Sequence, residues 1–281
     1  MYAILCAMSV AMTDFLTRKY GEPYRPIEIA FGRILFSVPI LWVFVLLHGI
    51  PAIDTSIAWV YVLSLPLEVT ALLLYIGALM VSPLSLTVPF LSFTSLFLLF
   101  TSWVMLGEKA SLPGMAGVLL IVAGAYSLHL SSSRYGLLTP LKMIAREKGS
   151  VMMLGVALIY SITANFGKMG VLKSGPIFFG ASYFSLLLVA LLFILLKRGR
   201  PRMLLRREIV IIGVFQSLVV TFHMLAIQLA NVSYMISLKR SSLLFGILLG
   251  AMFLGERNLK ERLAGGLLMM AGIILIGFTG S

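Results

Sequence analysis

LSLTVPFLSFTSLFLLFTSWVMLGEKASLPGMAGVLLIVAGAYSLHL, residues 84–130, reads as two apolar runs hinged on Leu106-Gly107-Glu108-Lys109. Each run is long enough for a helix to cross a hydrocarbon layer, which takes about 20 mostly apolar residues. The pattern returns in residues 232–279, where Leu254-Gly255-Glu256-Arg257 separates two further runs. A shift of 148 positions carries Ser85 onto Ser233, Phe97 onto Phe245 and Leu106-Gly107-Glu108 onto Leu254-Gly255-Glu256. The same shift carries Gly117 onto Gly265 and Ala123-Gly124 onto Ala271-Gly272. Matching leucines mean little in so apolar a chain, but a polar turn followed by evenly spaced glycines is a specific signature. A looser match sets Thr13-Asp14-Phe15 against Ala164-Asn165-Phe166.

Outward from this pair, ten runs reach bilayer length, near 2–18, 27–47, 57–80, 84–105, 113–130, 151–169, 176–196, 208–230, 232–254 and 262–279. The joints are short and often carry proline, as at Pro23, Pro51, Pro83, Pro113, Pro176 and Pro201. The longest polar stretch, 131–149, divides the chain. The expectation is an all-α integral membrane protein of ten transmembrane helices. Residues 1–132 and 150–281 form two five-helix repeats, and 133–149 is the linker. Five crossings leave the second repeat to enter from the opposite face, so the repeats are inverted.

Composition agrees. The chain is 60% hydrophobic and 11% charged, with a mean hydropathy of +1.06, whereas a soluble domain carries about a quarter charged residues. A formal charge of +12 would suggest nucleic acid in a soluble protein. Here the basic residues sit in short loops between apolar runs, which makes the bilayer the partner and excludes nucleic acid. The one cysteine, Cys6, rules out an internal disulfide and a cysteine-held metal. No cofactor or metal motif, nucleophile elbow, His-Glu-x-x-His or P-loop is found, so the chain does not read as an enzyme. Met1-Tyr2 opens directly into apolar sequence, so the first run reads as a helix and not as a cleaved signal.

Loop charge sets the orientation. The loops after helices 1, 3, 5, 7 and 9 hold 16 Lys or Arg; those after 2, 4, 6 and 8 hold three, Lys109, Lys168 and Lys173. Cytoplasmic loops collect Lys and Arg. That puts the basic loops in the cytoplasm and both termini outside, in the cell (inner) membrane.

With its two Leu-Gly-Glu turns, each leading into a glycine-rich helix (Gly114–Gly124 and Gly265–Gly277), the chain resembles the EamA-type carriers of the drug/metabolite transporter superfamily. Arg33 in helix 2 and Lys168 after helix 6 also sit where such carriers often have a basic residue. The resemblance covers essentially the whole chain. It implies a five-plus-five inverted repeat around a central cavity lined by helices other than 5 and 10. It also implies cytoplasmic termini, against the loop charges; both repeats give the same charge answer, and the expectation follows the charges. Ile236-Ser237-Leu238-Lys239-Arg240-Ser241-Ser242 is similar to the ninth helix of plastid sugar-phosphate translocators, where a Lys-Arg pair grips phosphate.

Three basic residues fall within runs: Arg33, Lys239 and Arg240. A charge at the centre of a membrane helix costs about 2.5–3.5 kcal/mol on insertion scales, so it points first to function. Arg240 shares a helix face with Ser237 and Ser233, and a guanidinium with hydroxyls beside it suits phosphate or carboxylate. The alternative is a resident ion pair with Asp14 or Glu68. Those two carboxyls either carry a coupling proton or act as counter-ions for Arg33 or the Lys-Arg pair. Lys168, Tyr75, Asn165 and His223 complete the candidate substrate site. Asn165, His223 and Gln228 read equally as helix–helix hydrogen-bonders, and Tyr160, Tyr183 and Phe222 as packing. Glu28 reads as solvated near an interface, and Glu108 and Glu256 as structural turn residues. The paired glycines suit close helix contact or a homodimer through helices 5 and 10. The functional expectation is a secondary transporter moving a small anionic metabolite, phosphorylated or carboxylate, by alternating access. An amino-acid or drug exporter is the alternative. A membrane-embedded transferase is the reading from another class, with a channel or sensor beside it.

Overall fold

The computed structural model describes residues 1–106, 112–127, 145–197, 206–229, 239–256 and 259–279, and every regular element among them is helical. The first half holds α1 (Tyr2–Tyr20), α2 (Pro26–His48), α3 (Ala58–Val81), α4 in two parts (α4a Leu84–Thr87, α4b Phe93–Leu106) and α5 (Leu112–Ser127). The second holds α6 (Lys148–Ser174), α7 (Pro176–Lys197), α8 (Arg207–Leu229), α9 (Ser242–Phe253) and α10 (Leu259–Thr279). Helices are what lipid permits, because their backbone N–H and C=O groups pair within the segment. Among the described residues, five spans are long and apolar enough to cross a bilayer: Pro26–His48, Thr55–Val81, Leu84–Met105, Lys148–Ser174 and Pro176–Lys197.

The molecule is turned inside out relative to a soluble protein. Leu46, Val62, Phe193 and Met252 stand exposed, while Asp14, Thr17, Glu28, Ser37 and Asn165 are buried. This is a multi-pass membrane protein. Burial of Glu28 corrects the expectation that it is solvated. Its carboxylate accepts the Arg25 backbone N–H at 2.8 Å and pairs with the Arg25 guanidinium at 3.1 Å, so the helix start itself holds the charge.

Three elements depart from the apolar runs. The fourth run is broken by a 3₁₀ turn, Val88–Ser92, with Pro89 at its start; proline has no N–H to continue an α-helix. In the ninth, a turn at Arg240–Ser241 separates Lys239, which is helical, from α9; Leu243 N–H donates to Arg240 C=O at 3.0 Å as that helix begins. The expected helix over 232–238, with Ser233 and Ser237, lies outside the described residues, as do the first Leu-Gly-Glu turn at 107–109 and the side chain of Gln228. Finally, α6 continues to Ser174, so Lys168 is a helix residue and not a loop one.

Helix pairing is symmetric between the halves. α3 packs on α6 as α1 packs on α8, and α4b on α6 as α9 on α1. α2 meets α7, and α5 meets α10. Glycines allow the last contact: a Cβ on Gly124 would lie 2.7 Å from Gly265 C=O, and one on Gly272 would lie 2.5 Å from Gly117 C=O.

One end of the bundle is tied across the halves. Gly255 turns with φ +64°, which favours glycine, and sends Glu256 back over α9. There its carboxylate accepts Leu84 N–H at 2.6 Å and Ser85 N–H at 2.9 Å, capping α4a, and pairs with Arg262 at 3.0 Å. A Cβ on Gly250 would come within 2.7 Å of that carboxylate. Close by, the Arg18 guanidinium donates to Met80 C=O, and the Ser82 hydroxyl donates to Glu147, which caps α6. At the other end, Lys173 reaches Asp54 at 2.8 Å. The Lys173 bond, helped by Ser56, holds the Asp54 carboxyl well below the usual carboxylate range. Such a depressed group contributes above its unfolded value of ~4 and loses that contribution as pH falls below it.

Gly124→Ala should force α5 from α10 and destabilise the protein by about 1–3 kcal/mol. Gly155→Ala, whose Cβ would first meet Leu74 at 4.0 Å, should be nearly neutral. Glu256→Ala should cost about 0.5–2 kcal/mol through the lost cap alone. Melting of the purified protein in detergent checks all three; equal melting temperatures for the two glycine variants would contradict the packing described.

Candidate substrate cavity

Between the halves lies a cavity of about 410 Å³. α1 to α4 and α6 to α9 supply its walls; no described residue of α5 or α10 reaches it. Its surface is mainly aromatic and aliphatic, with Tyr75, Tyr160, Phe179, Tyr183 and Phe184 prominent. A few polar groups converge on that surface, as in sites that bind small solutes.

The α2 wall carries Arg33, buried by the helix that faces α8. Its guanidinium donates to Gln216 Oε1 from Nε at 3.1 Å and from one terminal nitrogen at 2.9 Å. It pairs with Asp14 at 3.7 Å, and the Tyr75 hydroxyl donates to the same carboxylate. Asp14 is fully buried and does not line the cavity. It is the resident counter-ion of Arg33.

Glu68 and Thr163 stand on the α3 and α6 walls, with the Thr163 hydroxyl as the hydrogen-bonding neighbour of the Glu68 carboxyl. Lys239 and Arg240 enter from the segment preceding α9. Lys239 Nζ lies 3.4 Å from His223 Nδ1. Neither residue forms an ion pair with Asp14 or Glu68 among the described residues, and the buried Nε of Arg240 has no hydrogen-bond partner. Thr94 Oγ1 is likewise buried and unpartnered.

The sequence shift reappears as geometry. Five lining pairs are related by it: Glu68 and Gln216, Leu72 and Val220, Tyr75 and His223, Leu91 and Lys239, Thr94 and Ser242. The looser match adds Arg33 and Phe184. The described break at Arg240–Ser241 falls on Ser92–Phe93, the end of the 3₁₀ turn, under the same shift. A symmetric scaffold thus carries an asymmetric set of charges.

Of the candidate residues, Arg33, Glu68, Tyr75, Lys168, His223, Lys239 and Arg240 meet at the cavity. Asn165 turns away, donating to Ser161 C=O at 3.1 Å and to the Thr101 hydroxyl at 3.3 Å on α4b. Gln216, Thr94 and Thr163 were not read from the sequence as site residues. A glutamine in an apolar run was the available signal for the first, one that Gln228 in the same run shares; threonines in apolar runs gave none.

A family model described as the EamA-like transporter family matches residues 1–129 and 147–278. A crystal structure of another protein superposes with a TM-score of 0.69 at 14% identity, covering 98% of this chain and 94% of that one, which is a likeness of fold. No curated protein matches the chain.

Asp14→Asn would leave Arg33 buried without its charge partner. Breaking a buried pair costs about 3–5 kcal/mol, so this variant should melt well below the wild type in detergent. An unchanged melting temperature would show that the pair does not support the fold.

Proposed function

Because the chain belongs to the EamA-like transporter family, we propose that it is a secondary transporter that carries a small anionic metabolite by alternating access. One observation carries the anionic reading: Lys239 and Arg240 line the cavity without ion-pairing to either interior carboxylate, and the Arg240 Nε is buried without a partner. Two adjacent cations on a small, mainly apolar cavity wall attract an anion, and an incoming phosphate or carboxylate fits them. A guanidinium offers such a group two parallel hydrogen bonds. Interrupted helices at matching positions of two repeats are also the usual setting of substrate sites in inverted-repeat carriers.

The reading treats residues 1–132 and 150–281 as inverted five-helix repeats joined by 133–149, ten crossings in all. The exchange symmetry of the helix pairings supports it. The α6 lining residues run from Tyr160 to Leu172, none from its first turns. The cavity therefore leans away from the end tied by Glu256, Glu147 and Arg18. With basic loops at the tied end taken as cytoplasmic, the cavity faces outward in the inner membrane and both termini are outside. The amino-acid or drug exporter is the second reading, and Glu68 favours it, since a carboxylate in the same cavity suits an ammonium group.

Lys239→Ala and Arg240→Ala should each nearly abolish uptake into proteoliposomes while the protein stays folded. Arg240→Lys keeps the charge but loses the planar fork, so it should bind substantially less well. Wild-type uptake in either alanine variant would remove the pair from the site. An impermeant thiol reagent on intact cells should label a cysteine placed at Ser281; protection would reverse the orientation.

A further inference from the structure

We propose that Glu68 binds a proton that travels with the substrate anion, which makes the protein a proton–anion symporter. The inference rests on the anion reading of Lys239 and Arg240 given above.

The two interior carboxyls differ in kind. Asp14 is 0% exposed, has Arg33 as a resident cation at 3.7 Å and accepts the Tyr75 hydroxyl. Its charge is already answered, and it is shut off from the cavity. Glu68 lines the cavity and is partly accessible there. Its neighbour is an uncharged hydroxyl, and among the described residues it has no ion pair within 4 Å. It is the interior carboxyl that a proton from water can reach when the cavity is open.

The groups around Glu68 fix the sign of the coupling. Tyr160 on α6, Tyr183 on α7 and Lys239 before α9 interact with it electrostatically. Tyr75 on its own helix, Arg33 on α2, Lys168 on α6, His223 on α8 and Arg240 share the same cavity. Arg33 is committed to Asp14 and Gln216. Lys239 is therefore shared: it attracts both the Glu68 carboxylate and any anion that enters. An anion arriving while Glu68 is ionised meets a like charge in a small apolar-walled space and competes with it for Lys239. A proton on Glu68 forms an O–H bond, removes that charge and leaves Lys239 and Arg240 to the anion. Each ligand thus strengthens the other, and linkage makes the effect reciprocal. When the cavity reopens on the other face, loss of the anion makes loss of the proton easier, so the two leave together.

The test uses the full chain in detergent with sulfate, which is phosphate-shaped, and malate, a dicarboxylate. Sulfate stays fully ionised between about pH 6 and pH 8 and malate nearly so above about pH 6.5, in the range where histidine and perturbed carboxyls titrate. Binding heats in two buffers of different ionisation enthalpy give the protons taken up per anion. The wild type should take up about one, and its affinity should fall about tenfold per pH unit once Glu68 ionises. Glu68→Gln, which mimics the protonated carboxyl, should hold the anion at a pH-independent affinity and take up none. Glu68→Asp, which keeps a titratable group, should retain proton uptake, and it covers the case in which the glutamine variant does not fold. Anion binding by the wild type without proton uptake would overturn the coupling. So would a Glu68→Gln protein that keeps the pH slope, or a slope that disappears in His223→Gln instead. If neither probe binds the wild type, the anion reading of Lys239 and Arg240 fails and takes this inference with it.

Discussion

Hydrocarbon offers no partner for a polar atom, and that single constraint organises the molecule. A polar group buried against lipid is costly unless the bundle or a cavity answers it. Arg33 shows the consequence: Asp14, Gln216 and Tyr75 come from α1, α8 and α3, and they meet because a guanidinium stranded between helices would be too costly. The interhelical hydrogen bonds of Asn165 and Thr101, and of Tyr61 and Ser182, follow the same rule on a smaller scale. Apolar side chains are released to the outside, where the solvent is lipid.

The same constraint explains where the helices are allowed to break. A 3₁₀ turn at Val88–Ser92 and the interrupted start of α9 leave backbone groups without the regular α pairing. Irregular backbone at membrane depth is tolerated where it is buried in protein or lines a cavity, and both breaks border the cavity through Leu91, Thr94, Lys239 and Ser242. Interior polarity and interrupted helices are two expressions of one requirement. Glu256 extends it to the edge of the bundle, where a carboxylate from the second half satisfies the N–H groups that begin α4a in the first.

Most of the helices could be read from the sequence because apolar length is a strong signal and proline and glycine mark the joints. The family was legible too, from the repeated Leu-Gly-Glu turn. The breaks were less so: Pro89 was visible, but nothing in Arg240-Ser241 distinguishes a helix from a turn. Lys239, Arg240, Arg33 and Glu68 stood out because charge is conspicuous in an apolar background. Which carboxyl answers which cation did not, since Asp14 and Glu68 differ in burial and neighbours and not in sequence context. Glu28 shows the limit of reading position alone: it begins a helix, as a solvated residue does, yet is held inside by its own Arg25. Glu256 was read as a turn residue, but its reach to Leu84 and Ser85 depends on the room left by Gly250, a tertiary fact.

The paired lining positions have a consequence for how such a site can arise. A cavity made from two identical copies would present every side chain twice. Lysine at the position of Lys239 would bring a second lysine at the position of Leu91, and glutamate at Glu68 would bring another at Gln216. Opposed like charges in so small an apolar space would repel each other and would admit no single orientation of a ligand. Joining the copies in one chain lets each mutate alone. Leucine matched with lysine, glutamine with glutamate and histidine with tyrosine are what separate change at each position makes available. Carrying matched positions in one chain therefore gives the cavity different chemistry on its two sides, a head and a tail.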